Sequence, residues 1–364
     1  MNLPDRCWIE IETAALRDNI ESLRQFLEPG VKIAAVIKAD GYGHGLEAIA
    51  QRATDQIDLF GVASLAEARR TRSAGAQIPI MILGPALPEE RAEIARHRFI
   101  PTVSTAEEAF GYAEATKDPP LPIHFVIDTG MGRIGLWEEE AVAELRLIQT
   151  VKNLRVDAIS THLPVADEDP AYTLQQLSRA RAQIEKLSPK STTVLNSAGI
   201  LQFAAFARPG DIVRAGLTIY GISPLPEFQS RFRQAMTWKT RVILVRNMGA
   251  GRSISYGRTF ITNRPGRVAT LAVGYGDGYQ RHLSGRNTEV LIRGKRCRLL
   301  GRVTMDQVMV DVSDLDTVNV GEEAVLVGSQ DDETILASEL AAKAGTITWD
   351  IFTGITKRVE RVYR

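Results

Sequence analysis

Lys38 closes an apolar run in "AVIKADGYGHG" and opens onto a stretch rich in glycine. A lysine with apolar flanks is poorly hydrated, its pKa falls, and its neutral amine can attack a carbonyl carbon or take a proton near neutral pH. Alone, such a residue is more often an ion-pair partner, so the other polar stretches decide its meaning. "DTGMGRIG" (128–135) carries Arg133 on a glycine-rich loop, and "STHLP" carries His162. "LNSAG" and "VRAGLTIYG" bring Asn196, Ser197, Arg214, Gly216 and Leu217, hydroxyl, guanidinium and backbone N–H groups of the kind that hold phosphate. Each also has a plain structural reading: a surface arginine on a tight turn, a core histidine, and half-buried strand aromatics for Tyr256 in "SISYGRTF" and Tyr275 in "VGYGDGY".

These residues need elements to bring them together. From about residue 30 to 220, eight short β-rich runs (32–38, 59–64, 78–84, 99–104, 122–128, 156–162, 192–197 and 211–216) alternate with segments of helical period. The pattern predicts an α/β fold, a (β/α)8 barrel over residues 10–228, with an open doubly wound sheet as its competitor. Lys38, Asp128, His162, Asn196 with Ser197, and Arg214 then fall at the carboxyl ends of the first, fifth, sixth, seventh and eighth strands, where barrel enzymes keep their working groups. The three glycines after Lys38 are expected to let backbone approach a ligand closely. Past residue 228 the texture turns to alternating strands and turns, predicting a second, mainly β domain over 229–364, and "CWIEIE" is expected to bring residues 1–9 into it.

Composition narrows the partners. Lys plus Arg and Asp plus Glu both number 44, so no net charge favours nucleic acid or an anionic membrane, and a small molecule is the default ligand. Cys7 and Cys297 are the two cysteines, without zinc-ligand spacing, and no metal is expected. No leader-like segment or apolar span of membrane length stands out, which predicts a cytoplasmic protein.

Together, "AVIKADGYGHG", "DTGMGRIG", "TH", "LNSAG", "VRAGLTIYG", "SYGRTF", "VGYGDGY" and "GRVTMDQ" resemble the alanine racemases, in that family's order and over nearly the whole chain. The resemblance implies a pyridoxal 5'-phosphate enzyme that interconverts L- and D-alanine and supplies D-alanine for peptidoglycan. It also implies a homodimer with shared active sites, the β domain contributing to its partner's. Lys38 would hold the cofactor as an imine and act as one base, and Tyr256 from the partner would act as the other on the opposite face. A racemase needs both, since a single base returns the proton to the face it came from. Tyr42, Ser197 and the backbone of Gly216 and Leu217 would bind phosphate. Arg214 would donate to the pyridine nitrogen, with His162 beside the ring. Arg133 and the backbone of Met305 would take the substrate carboxylate, and Asp167, Tyr275, Arg281, Arg302 and Asp306 would line or support the entrance.

Two positions depart from the pattern. Val126 stands where many members have a carbamylated lysine, so Arg133 lacks that anion: either a chloride or another side chain replaces it, or the arginine is held less firmly. Lys357 stands where some members place a phosphate-binding tyrosine. A serine or broad-specificity racemase stays open. Amino-acid decarboxylases of this architecture pair the pyridine nitrogen with a carboxylate, which Arg214 argues against, and a non-catalytic cofactor carrier would lack the β domain and the second-face tyrosine.

Overall fold

The computed structural model describes residues 5–53 and 55–364; residues 1–4 of the predicted 1–9 segment lie outside the described residues. The chain clusters into two compact units, Leu16–Gly41 with Gly45–Arg233, and Met1–Ala15 with Tyr42–His44 and Gln234–Arg364.

The first unit is the expected (β/α)8 barrel. Its strands are Lys32–Val36, Leu59–Val62, Ile80–Ile82, Ile100–Val103, Leu121–Asp128, Leu154–Ser160, Thr192–Thr193 and Ile212–Ala215. The first seven pair in parallel, each with the next, and the eighth pairs in parallel with the first, leaving no ladder between the seventh and eighth. Between the seventh and eighth, the Arg214 N–H donates to the Leu195 carbonyl at 2.9 Å. Strands covered on both faces have no solvent side, so they read as unbroken apolar runs such as "KIAAV" and "LFGV" rather than as alternation. Ala34, Leu59, Met81, Ile100 and Ile212, one from each of five strands, form one packed cluster.

The intervening helices start where the sequence offers caps. Ser64, Thr105, Asp169 and Asn196 each accept a first-turn N–H of the helix that follows, and Pro170 fills a first-turn position that needs no donor. These caps mark the strand-to-helix turns, the same end of the barrel that carries the polar residues.

The second unit is mainly β and antiparallel. Strands Glu289–Ile292, Lys295–Leu300, Val308–Asp311, Gly266–Leu271, Met236–Met248 and Glu323–Gln330 pair in that order, and the last returns to the first, closing a ring. Strand Cys7–Ile11 pairs antiparallel with Met236–Met248 and parallel with Glu360–Tyr363, so "CWIEIE" does join this sheet. Among the described residues no helix is long and apolar enough to cross a membrane, and no group of three or more His, Cys, Asp or Glu could hold a metal ion.

Candidate active site

Strand Lys32–Val36 ends two residues before Lys38, and the chain then makes a left-handed turn. Ala39, Asp40, Gly41 and Tyr42 have φ of 51°, 56°, 62° and 51°. Such backbone costs roughly 1–2 kcal/mol for each residue with a side chain, so neighbours must hold it. Gly41 N–H donates to Ile37 O at 2.8 Å and Gly45 N–H to Asp40 O at 2.8 Å. Glu67 accepts from Ala39 N–H through Oε1 and from Ala63 N–H through Oε2, each at 2.7 Å. Arg70 reaches Asp40 Oδ1 at 2.6 Å and pairs with Glu47. Lys38 is thereby aimed from a strained turn clamped by the next strand-to-helix junction. At Gly43 the expected close approach is met by protein rather than ligand, since a Cβ there would lie 2.2 Å from the Phe352 carbonyl oxygen.

Burial lowers the Lys38 pKa, Arg133 lowers it further, Glu67 opposes, and Arg214 lowers it again. Arg214 itself is buried and drawn down to about 10 by burial and by Arg133, which leaves it charged at neutral pH. Its Nη1 donates to the Thr193 carbonyl and to Thr193 Oγ1, and its Nη2 to Thr161 O at 2.7 Å, Val194 O at 3.2 Å and His162 Nδ1 at 3.1 Å. A guanidinium has five N–H groups, and the four on its terminal nitrogens are thus spent on protein. Nε–H is the one left for an outside acceptor. Because arginine can only donate, His162 accepts at Nδ1 and carries its proton on Nε2. Burial, then Arg214, Arg133 and Lys38, hold His162 well below its ordinary pKa, so it is neutral.

Arg133 rides on a loop pinned from within: the Asp128 carboxylate accepts N–H from Gly130 and Met131 at 2.8 Å and from Gly132 at 2.7 Å. Tyr172 OH also donates to Gly130 O at 2.9 Å. Val126 is buried and its Cγ1 packs against Gly135 of the same loop, and Arg133 makes no ion pair among the described residues. Ser197 is buried at the start of helix Ser197–Phe203, and its Oγ accepts from Gly216 N–H at 2.9 Å and from Thr218 Oγ1 at 3.2 Å. With its lone pairs used, the hydroxyl proton is available to donate outward. Lys38, Arg133, His162 and Arg214 therefore share one electrostatic field, and Ser197, Gly216 and Leu217 share one hydrogen-bonded turn. Asp167 is exposed and joins neither.

The remaining residues fall in the β unit. Tyr42 is buried, takes a hydrogen bond from Trp349, and is pushed up to about 12 by burial. Tyr256 is 70% exposed at the tip of the hairpin formed by Ser253–Ile254 and Phe260–Ile261. Tyr275 and Gly276 donate through backbone to the Thr304 and Met305 carbonyls, each at 2.9 Å. Arg358 pairs with Asp306 at 2.8 Å and with Asp277 at 3.2 Å. The Arg281 carbonyl accepts from Ser284 Oγ, which in turn accepts from Val303 N–H. Lys357 is exposed.

Sequence reading missed Glu67, Thr161, Thr193 and Ser255. For Glu67 a signal existed: Ser64-Leu65-Ala66-Glu67 has the spacing of a capping box. It announces a helix start, and only the folded barrel turns that carboxylate toward Ala39.

Residues 11–224 match the family model described as alanine racemase, N-terminal domain, and residues 235–363 match alanine racemase, C-terminal domain. An alanine racemase of Symbiobacterium thermophilum is 40% identical over 369 residues, covering 98% of this chain and 96% of that one. One of Halothermothrix orenii is 36% identical over 368 residues, with the same coverage of each. Among solved structures, the alanine racemase of Clostridium difficile 630 superposes with a TM-score of 0.91 at 32% identity, covering 100% of this chain and 97% of that one. That of Bacillus anthracis with bound L-Ala-P gives 0.88 at 31%, covering 100% and 96%. With the N-terminal model matched over a barrel that gathers a depressed lysine, two arginines and a neutral histidine, and the C-terminal model over the β unit, the chain belongs to the alanine racemase family.

Proposed function

We infer that Lys38 and Tyr256 of the partner subunit carry the two proton transfers by which this alanine racemase interconverts L- and D-alanine. The observation behind this is the field around Lys38, in which burial, Arg133 and Arg214 favour the neutral amine while His162 stays uncharged. The donor set suits pyridoxal phosphate: a lysine for its aldehyde, a single free guanidinium N–H for a ring nitrogen, and a buried hydroxyl with a free proton for phosphate. When bound, that group supplies the electron sink that makes the substrate α-proton acidic.

Lys38 would hold the cofactor and move a proton at Nζ on one face. Tyr256 would move one at its phenol oxygen on the other, taking it from L-alanine. Arg214 cannot give up its proton, so through Nε–H it would donate a hydrogen bond to the ring nitrogen without protonating it. Arg133 and the Met305 N–H would orient the substrate carboxylate, Ser197, Tyr42, Gly216 and Leu217 the phosphate. Asp167, Tyr275, Arg281, Arg302 and Asp306 would shape the entrance. Residues 10–228 would form the cofactor domain, and 1–9 with 229–364 the domain lent to the partner's site, in a cytoplasmic homodimer.

The test combines two variants. Lys38→Ala is expected to lose borohydride-reducible cofactor attachment together with racemisation, and Tyr256→Phe to keep attachment while losing racemisation. Mixing the two inactive proteins should restore part of the activity, because one site of each mixed dimer has both residues. No recovery in verified mixed dimers would exclude shared sites, and a reducible adduct in Lys38→Ala would exclude Lys38 as the anchor.

A further inference from the structure

Ser255 has φ 66° and ψ −177°, a backbone region that glycine enters freely and other residues occupy only under constraint. It directly precedes Tyr256, and the constraint comes from several sides. Ser255 Oγ donates to the Arg302 carbonyl at 2.6 Å. Ile254 is buried against Val268, Leu300 and Met309. The backbone at Gly301 comes so near that a Cβ there would lie 2.5 Å from the Ile254 carbonyl oxygen and 2.9 Å from Ser255 Cβ. On the far side of Tyr256, the Arg302 guanidinium lies against Gly257, where a Cβ would meet it at 2.8 Å.

The tyrosine between these anchors is 70% exposed in its own chain, so no packing within that chain fixes its direction. The backbone does: the ψ of Ser255 sets the plane of the peptide that leads into Tyr256. Relaxing Ser255 into an ordinary extended conformation would rotate that plane and swing the ring.

We propose that Ser255 is a positioning residue whose strained backbone, clamped through its hydroxyl to Arg302, sets the direction in which Tyr256 presents its phenol for proton transfer. This rests on Tyr256 being the second proton-transfer group. Strain beside a reacting side chain is retained only where neighbours over-determine it, and residues 301–302 supply that from one continuous stretch of chain.

Two substitutions in the holoenzyme separate the strain from the clamp. Ser255→Ala removes the hydroxyl and keeps a side chain in the costly region, whereas Ser255→Gly removes both. At a relaxed position glycine is the less stable of the two, because its unfolded chain has more freedom to lose. Here the order should invert, with Ser255→Gly melting above Ser255→Ala. Both should turn over roughly tenfold or more slowly, since a displacement of about 1 Å at a reacting group suffices for that. The positioning role is read from isotope effects. The deuterium effect with α-deuterated L-alanine should rise as the Tyr256 step becomes limiting, while that with α-deuterated D-alanine should not. Melting of Ser255→Ala above Ser255→Gly would overturn the proposal, as would isotope effects that rise together or stay at wild-type values. Tyr256→Phe is measured alongside: unchanged turnover there removes the tyrosine's role, whereas its loss with wild-type isotope effects in the Ser255 variants removes only the positioning role.

Discussion

At Lys38 two neighbours pull its protonation in opposite directions, and the pull can be measured in the apoprotein. Arg133 lowers the Lys38 pKa and Glu67 raises it, on top of a larger lowering by burial. Arg133→Met should therefore raise the pKa and slow acetylation of Lys38 by acetic anhydride at neutral pH. Glu67→Gln should lower it and speed that acetylation, each read by peptide mass spectrometry across pH. Shifts of the same sign in both variants would mean that changed burial, not charge, dominates. Glutamine also cannot accept from both Ala39 and Ala63 N–H as Glu67 does, so amide exchange at Ala39 should rise in that variant. Lys38 was legible in the sequence because apolar flanks and a strand end already imply a depressed amine. Glu67 was not, because its partner Ala39 lies 28 residues away and meets it only once two strands are paired.

The strands were legible as elements because burial on both faces leaves a compositional trace, and the eight runs fall where the eight barrel strands lie. The left-handed turn after Lys38 was not: alanine, aspartate and tyrosine carry no local preference for positive φ strong enough to announce it, and the turn exists because Glu67, Asp40 and Arg70 hold it. Strand Leu121–Asp128 hides another feature of this kind. His124 is fully buried on it, its Nδ1 has no hydrogen-bond partner, and burial lowers its pKa from 6.5 to about 4. Between these values the unfolded chain takes up a proton that the folded chain refuses. Stability is therefore complete above about pH 6.5 and declines as pH falls toward 4, by up to about 3 kcal/mol from this residue. His124→Asn should flatten the pH dependence of the urea midpoint over that window. An unchanged slope would mean that other groups carry it.

The barrel is continuous in sequence apart from Tyr42–His44, whereas the β unit is assembled from both ends of the described chain. Strand Cys7–Ile11 lies between Met236–Met248 and Glu360–Tyr363. This arrangement sets a timetable during synthesis. At ordinary elongation rates, strand 7–11 is made roughly ten to fifty seconds before its first neighbour and roughly twenty to seventy before its second. Throughout that interval, while the barrel strands from Lys32 to Ala215 are being translated, its apolar residues Trp8, Ile9 and Ile11, all buried in the finished sheet, have no strand of their own sheet to pair with. Cys7 reports on the wait, because its sulfur ends up accepting a hydrogen bond from Trp238 at 3.1 Å. Ribosome-arrested chains should leave Cys7 open to maleimide until segment 236–248 has emerged, and protect it afterwards. The order of the strands thus leaves an apolar segment unpaired before any residue of the β unit's closed ring has been translated.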